Sequence, residues 1–518
     1  MPPTSILNDL SKLTIFMTSL ITAIAVLLPL APILNVYRLP GFIRRLRLFP
    51  RVFVLLSSAI VLYISLTVLL VLYFPRYIPA MLVLAFPLVF YLYFWRARST
   101  FGSKKRLPPG SLRLAPPGPW VDYLYYQKQA DKHGPIFKMN NFVQPMICLA
   151  GIELGTEFLK HHEDATTTPP MPFNSRIPGG FMRYMVPAIH MEYRTKMKNI
   201  FSDHVFLQGK EELIGAIIRD NLSKMAGHTK HTYPVPHFQN MAFSIFVALF
   251  LGISPQDQDF RRLQKLYEII DYRHALFTTK SKIEQSLEKI EKIFLNHVRE
   301  RPSYFRSFLG DQLHDCSTYS HDATLLRNFI YLLQTSWIDV SDLLFWMFKL
   351  LSDNHQWIEA LRTNLHSQDE SLRQAAHQLG NRVVLETLRL EQSEYLMRKA
   401  LRDIKFEGFL IPKGWLVRIG IRESHRDAEI FPNPNDFNPD RFLTRSIGPK
   451  QYSPFGIQQK SCLGKGLTLW IGQKVVLELA QGFEWKVVHD GPRELGVFHW
   501  RPSAKLRVQM SSFSMGPA

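Results

Sequence analysis

Three uncharged apolar runs near the N-terminus, Leu13–Leu34, Val52–Phe74 and Tyr77–Trp95, constrain this chain more than any other feature. At a rise of about 1.5 Å per residue, each is long enough to cross the roughly 30 Å hydrocarbon layer of a bilayer as a helix. They predict a membrane anchor of about three transmembrane helices (13–34, 52–74, 77–95) within residues 1–106. Pro29 and Pro32 leave open a re-entrant or interfacial first segment. A secretory signal would have a shorter apolar core and a small-residue cleavage site, and none precedes Arg38.

Charge then sets the topology. A net charge of +19 over 518 residues would ordinarily suggest nucleic acid as a partner. Residues 1–106, however, hold twelve basic side chains and one acid, Asp9, leaving only +8 for the rest. Arg38, Arg44, Arg45, Arg47 and Arg51 separate the first two runs, Arg76 alone separates the next two, and Arg96, Arg98, Lys104, Lys105 and Arg106 follow the third. The positive-inside bias places the 38–51 loop and everything after Trp95 in the cytosol, with membrane lipid rather than nucleic acid as the partner of these charges. Residues 107–119 (LPPGSLRLAPPGP) contain five prolines and read as a stiff hinge.

From residue 120 to 518 the pattern is mainly α with small β-sheets. Short strand signals lie at Ile136–Met139, Pro145–Ala150, Phe406–Ile411 and Trp415–Gly420. His321–Asn354 has neither Pro nor Gly and predicts a buried central helix about 50 Å long. It carries Asp339 and Asp342 among apolar residues, so each must face either a polar cavity or solvent. Glu386 and Arg389, spaced i,i+3 among leucines, predict a compensated buried pair. Asn221-Leu-Ser223 matches a glycosylation acceptor, but in a cytosolic body it would stay unmodified.

Three cysteines exclude a disulfide scaffold for a chain this long, and their odd number leaves a free thiol. Cys462 lies in PFGIQQKSCLGKG (454–466), between turn-forming glycines, two residues after Lys460 and just before a helix predicted over Leu467–Ala480. A cation and a helix N-terminus both favour a thiolate. Cys148 and Cys316 have no such surroundings and read as small buried hydrophobes.

Phe455, Gly456, Lys460, Cys462 and Gly464 resemble the haem-ligand loop of the cytochrome P-450 superfamily, F-x-x-G-x-R-x-C-x-G, with Gln458 at the loop glycine and Lys460 at the arginine. Glu386-x-x-Arg389 resembles that family's E-x-x-R helix, and Phe437–Phe442 its P-E-R-F segment, so that Arg441 would complete a Glu386–Arg389–Arg441 network. The resemblance covers essentially Trp120 to the C-terminus. It implies a cytochrome P-450 fold behind the transmembrane region and one haem b, with the Cys462 thiolate as axial ligand of the iron. Around the haem it implies Phe455 in the ligand loop, with Lys460, Arg398, Arg194 and His190 at the propionates; His190 stands where the family has a tryptophan.

The family's central helix usually carries A-G-x-D/E-T-T, in which an acid and a threonine relay protons into the distal pocket. Here Thr335-Ser336-Trp337-Ile338-Asp339-Val340 departs from it: either Asp339 replaces the alcohol, or Asp339 is the acid and Ser341 a late substitute for the threonine. Asp339 and Ser341 are therefore the expected catalytic pair.

The resemblance implies a monooxygenase of a hydrophobic small molecule. It would be anchored in the endoplasmic reticulum membrane and fed by NADPH-cytochrome reductase, with cytochrome b5 as a further donor. A fungal specialised pathway, terpenoid or polyketide, fits the departures. The missing relay keeps open a hydroperoxide or endoperoxide isomerase or dehydratase, which the short Arg389–Arg398 spacing, similar to the prostacyclin-synthase-like group, also suggests. A non-catalytic membrane haem protein is a third possibility.

Overall fold

The computed structural model describes residues 106–112, 122–141, 144–169, 172–202, 207, 209–228, 230–271, 278–309, 323–391, 395–444, 447–496 and 499–513. The three apolar runs, residues 113–119 of the hinge, and Cys316 lie outside the described residues.

The N-terminal part of the body is α1 (Tyr125–His133), the hairpin β1 (Ile136–Asn141) and β2 (Gln144–Ala150), α2 (Ile152–His162) and β3 (Thr166–Thr167). Next come α3 (Pro187–Ser202), α4 (Glu211–Ala226), α5 (Pro234–Leu251), α6 (Gln258–Ile270), α7 (Lys280–Glu300), α8 (Pro302–Leu309), α9 (Ala323–Asp353), α10 (His355–Leu365) and α11 (Glu370–Glu391). Strands β4 (Tyr395–Ala400), β5 (Ile404–Phe406), β6 (Phe409–Ile411) and β7 (Leu416–Gly420) precede the short helices α12 (Arg422–His425) and α13 (Arg441–Thr444). The chain ends with α14 (Lys465–Gly482), β8 (Phe483–His489), β9 (Glu494–Leu495), β10 (Trp500–Arg501) and β11 (Arg507–Ser512).

The expected strand over Phe406–Ile411 is broken at Glu407 and Gly408, whose positive φ (48° and 72°) folds β6 back onto β5 as a hairpin. The main sheet has the order β1-β2-β7-β4-β3, with β2 and β7 parallel and the other pairs antiparallel. Along β2, Ile147 and Leu149 face one apolar cluster while Met146 and Cys148 face another, the alternation expected of a strand covered on both sides. Cys148 is fully buried there, and burial pushes its thiol up to about 12, consistent with a packing role.

The core is helical. α9 packs on α5 through Phe243–Trp337, Phe238–Phe345 and Phe250–Phe329, with ring centroids 5.7, 6.2 and 6.1 Å apart, so the two helices run antiparallel. Local signals bound these helices: a proline in the first turn of α5 and left-handed Gly252 (φ 62°) at its end, and Asp257 and Thr279 accepting from backbone N–H groups at the starts of α6 and α7. α5 is apolar enough to span a membrane, but its length is spent on this core. α14 approaches α11 so closely at Gly472 that a Cβ there would come within 2.9 Å of Val384, which brings the residues before α14 up to the central helix. Asn221 is buried in α4 with its amide donating to the Ile217 carbonyl, so it is no glycan acceptor in the folded body.

Candidate active site

The loop before α14 owes its shape to backbone turns. Gly456 (φ 82°) and Gln458 (φ 57°) both occupy the left-handed region, and the Cys462 N–H donates to the Phe455 carbonyl at 2.8 Å, closing the loop on itself. Gln458 stands where glycine is the residue free of steric cost; its Nε2 donates to the Thr156 carbonyl at 3.1 Å. Cys462 is exposed, yet protein surrounds its sulfur closely enough that burial is the main influence raising its thiol. A hydrogen bond from Gly464, together with Arg183 and Arg194, favours the thiolate; Asp339, reaching the sulfur from α9, opposes it. Lys460, expected from sequence to supply this charge, instead donates from Nζ to the Arg183 carbonyl at 3.2 Å.

Four cations form one cluster that reaches Cys462 through Arg183 and Arg194. Arg398, on β4, is 3% exposed, and its guanidinium is lowered to about 10 by burial and by Arg183, against an opposing pull from Glu163. Burial, then Arg398, lowers Lys460. Arg194, lowered by burial, donates to the Ser461 carbonyl at 2.8 Å and to Ser461 Oγ at 3.3 Å. Among the described residues, no carboxylate forms an ion pair with Arg183, Arg194, Arg398 or Lys460. His190 is buried as well: its Nδ1 lies 2.8 Å from the Met182 carbonyl and its Nε2 has no partner. An accessible cysteine beside cations that range from exposed Arg183 to buried Arg398 and pair with no carboxylate among the described residues fits a haem carrying two propionates. Arg183 was not singled out from sequence, because it lies in a short 3₁₀ turn (Met182–Tyr184) with no motif around it.

A second charged cluster is closed. Glu386 and Arg389 are fully buried, paired through Oε2–Nε at 2.7 Å and Oε1–Nη2 at 2.8 Å. Glu386 Oε1 also accepts from Arg441 Nε at 3.1 Å and from the Asn438 N–H at 3.0 Å. Arg389 donates further to the carbonyls of His425, Pro434 and Asp436, and Arg441 to those of Pro432, Asn433 and Asp436. The pair that helical spacing singled out thus meets Arg441, the residue that the family resemblance added to it.

The central helix separates its own candidates. Asp342 pairs with His499 Nε2 at 3.1 Å, whereas Asp339 is half-buried on the side that reaches Cys462. Ser341, expected to act with Asp339, is two residues on and hence on a different helical face. Its hydroxyl is buried and donates to the Ile338 carbonyl at 2.8 Å, so the pair is not assembled. Thr335, one turn before Asp339, is an alcohol on the same face; its hydroxyl donates back to the carbonyls of Tyr331 and Leu332 at 3.1 and 3.2 Å.

Comparison with known proteins agrees with this arrangement. Residues 339–496 match the family model of cytochrome P-450. Abscisic acid 8'-hydroxylase 1 of Arabidopsis thaliana is 25% identical over 432 residues, 77% of this chain and 90% of its own length. Among solved structures, retinoic acid-bound cyanobacterial CYP120A1 superposes with a TM-score of 0.65 at 23% identity, covering 79% of this chain and all of that one. A cytochrome P-450 OleT complex with arachidonic acid gives 0.61 at 16% identity, covering 78% of this chain and all of that one. An accessible cysteine within a cluster of cations, the closed Glu386–Arg389–Arg441 cluster and these matches lead to one conclusion: the chain belongs to the cytochrome P-450 superfamily, as a haem-thiolate oxidoreductase of the monooxygenase class.

Proposed function

We propose that the protein hydroxylates an apolar carboxylic acid of terpenoid type, using dioxygen and electrons from NADPH-cytochrome reductase, from an anchor in the endoplasmic reticulum membrane. The observation that carries the reading is the accessible Cys462, whose loop Arg194 holds through Ser461, set in a cluster of cations that pair with no carboxylate among the described residues. The substrate class rests on the relatives: one is named as a hydroxylase of abscisic acid, and two structural neighbours hold retinoic and arachidonic acid. A membrane anchor would deliver such a substrate from the lipid phase.

In this reading the group held would be haem b, with the Cys462 thiolate holding its iron. When bound, the haem would supply oxygen activation, which thiolate ligation promotes. Arg398 and Lys460 bind propionates, while Arg194 holds Ser461, and with it the cysteine loop, in register. Phe455 packs against the helical core and excludes water from the loop. His190 differs from a tryptophan in kind: its Nδ1–H is committed to Met182, so Nε2 of the neutral ring can only accept, and it serves a carboxylate only when the ring is protonated. Asp339 holds the proton that the distal pocket needs, with Thr335 the adjacent hydroxyl. Glu386, Arg389 and Arg441 position the loop and touch no substrate.

The test has two stages. The reduced, carbon monoxide-bound protein should show the red-shifted Soret band of thiolate ligation; a band without that shift sinks the reading. Product should then form with reductase, NADPH and dioxygen. Turnover only of an organic hydroperoxide, without reductase, would assign the peroxide rearrangement that the missing threonine motivates.

A further inference from the structure

We infer that Arg176 and Tyr331 form a binding site for the carboxylate of the substrate, about 12 Å along the α9 axis from Asp339, so that the acid end is held while a distant carbon is presented for reaction. The inference rests on the reading that the enzyme takes an apolar acid, and it names the residues that recognise it.

Tyr331 is completely buried, and its hydroxyl has no hydrogen-bond partner. A buried phenol left so costs on the order of 1–3 kcal/mol, which a ligand oxygen would offset. The ring stacks on Phe173, centroids 4.6 Å apart and planes 11° from parallel. Phe173 and Arg176 belong to one 3₁₀ turn, Pro172–Arg176, in which residues three apart eclipse. Arg176 therefore lies on the side of the turn that faces Tyr331.

Three charged groups act on the Tyr331 phenol: Arg176, Arg327 and Glu284. Two of them neutralise each other, since Arg327 pairs with both Glu284 and Glu291. Arg176 is left over: its guanidinium is half-buried and pairs with no carboxylate among the described residues. The support beneath it is rigid. Arg327 Nη1 donates to the Arg176 carbonyl at 2.8 Å, Asn328 Oδ1 accepts from the Met182 N–H at 2.6 Å, and Asn328 Nδ2 donates to the Gly180 carbonyl at 3.2 Å. Burial keeps the Tyr331 phenol protonated and hence a donor.

One cation and one neutral donor, flanked by buried Phe173, Ile177 and Phe181, match a monoanion on an apolar body. A carboxylate would place one oxygen on Arg176 and the other on Tyr331 Oη. A phosphate dianion would need more positive charge than the site offers. Gln334, whose buried amide also has no partner, lies one turn along α9 from Tyr331.

The test uses the full-length, haem-loaded chain and measures binding by quenching of tryptophan fluorescence. Retinoic acid, arachidonic acid and abscisic acid are each compared with their methyl esters. At least one acid should bind about tenfold or more tighter than its ester. Arg176→Leu should remove that preference by weakening the acid about tenfold while leaving the ester within about twofold. Tyr331→Phe, which deletes only the oxygen, should weaken the acid about fivefold and the ester not at all. The site is refuted if no acid is preferred in any pair, absence of binding included, or if Arg176→Leu weakens acid and ester alike. Should Arg176→Leu fail to fold, an unchanged acid preference in Tyr331→Phe refutes it by itself. The monooxygenase reading fails separately, on product analysis: an enzyme that binds and oxidises acid and ester equally would refute this site and leave that reading standing.

Discussion

Glu386, Arg389 and Arg441 form a cluster in which one carboxylate is shared by two guanidiniums and the remaining donors go to carbonyls. Arg183, Arg194, Arg398 and Lys460 gather around Cys462 with no carboxylate pairing among the described residues. Both are largely arginine-built, and both lie partly out of water. The closed cluster needs nothing more, so its energy is realised in the folded chain itself. The open one carries a standing cost that only an anion can relieve, and for that reason it marks a binding site while the closed one marks a brace.

The contrast breaks most visibly at Glu386. Glu386→Ala leaves Arg389 buried and uncompensated, with an expected loss of about 3–5 kcal/mol measured by denaturant unfolding. A loss below about 1 kcal/mol would mean the cluster is no brace. On the open side, Asp339→Asn should lower kcat about 100-fold with binding of substrate retained, read from steady-state kinetics with reductase and NADPH. Unchanged kcat would remove Asp339 from proton delivery.

Acid should act on the closed side. His425, fully buried beside Arg389, Arg422 and Arg426, is pushed down to about 3, first by burial and then by these charges. Its folded pKa lies below the unfolded value of about 6.5, so the unfolded chain takes up a proton that the native one refuses. Stability is complete above about pH 6.5 and falls by up to about 1.4 kcal/mol per pH unit toward pH 3. His425→Gln should flatten that slope in unfolding experiments across the same range.

Smaller effects sharpen the picture. Gln458→Gly relieves a left-handed residue (φ 57°) and should stabilise by about 1 kcal/mol in thermal unfolding, although it gives up the bond to Thr156. Arg398→Leu should leave chain stability within about 1 kcal/mol of the parent, since it removes an unpaired charge. Retention of haem during gel filtration should fall in the same variant. A large loss of stability there would show the open cluster to be a brace as well.

Legibility from sequence divides along the same line. Glu386-x-x-Arg389 is visible because helical periodicity alone puts i and i+3 side by side, and the loop of Cys462 because its turns are written in neighbouring glycines. The central helix is visible as a long apolar segment without breakers, although Asp339 and Ser341 look interchangeable until the rotation of α9 is known. Arg183 carries no local signature at all. Nor does Arg176, whose importance comes from a tyrosine 155 residues away and from carboxylates that neutralise its competitor.

What the amino-acid order determined by itself is therefore short-range: the apolar runs, the helix spacing, the cysteine loop and the identity of the family they resemble. Tertiary structure alone decided which aspartate reaches Cys462 and which is matched by His499, 157 residues distant. It also decided which arginines are left without a carboxylate. Hydrogen bonds and turns act over a few residues and leave their pattern in the order of the chain. Compensation of charge acts through space, and depends on which surfaces the packed helices bring together.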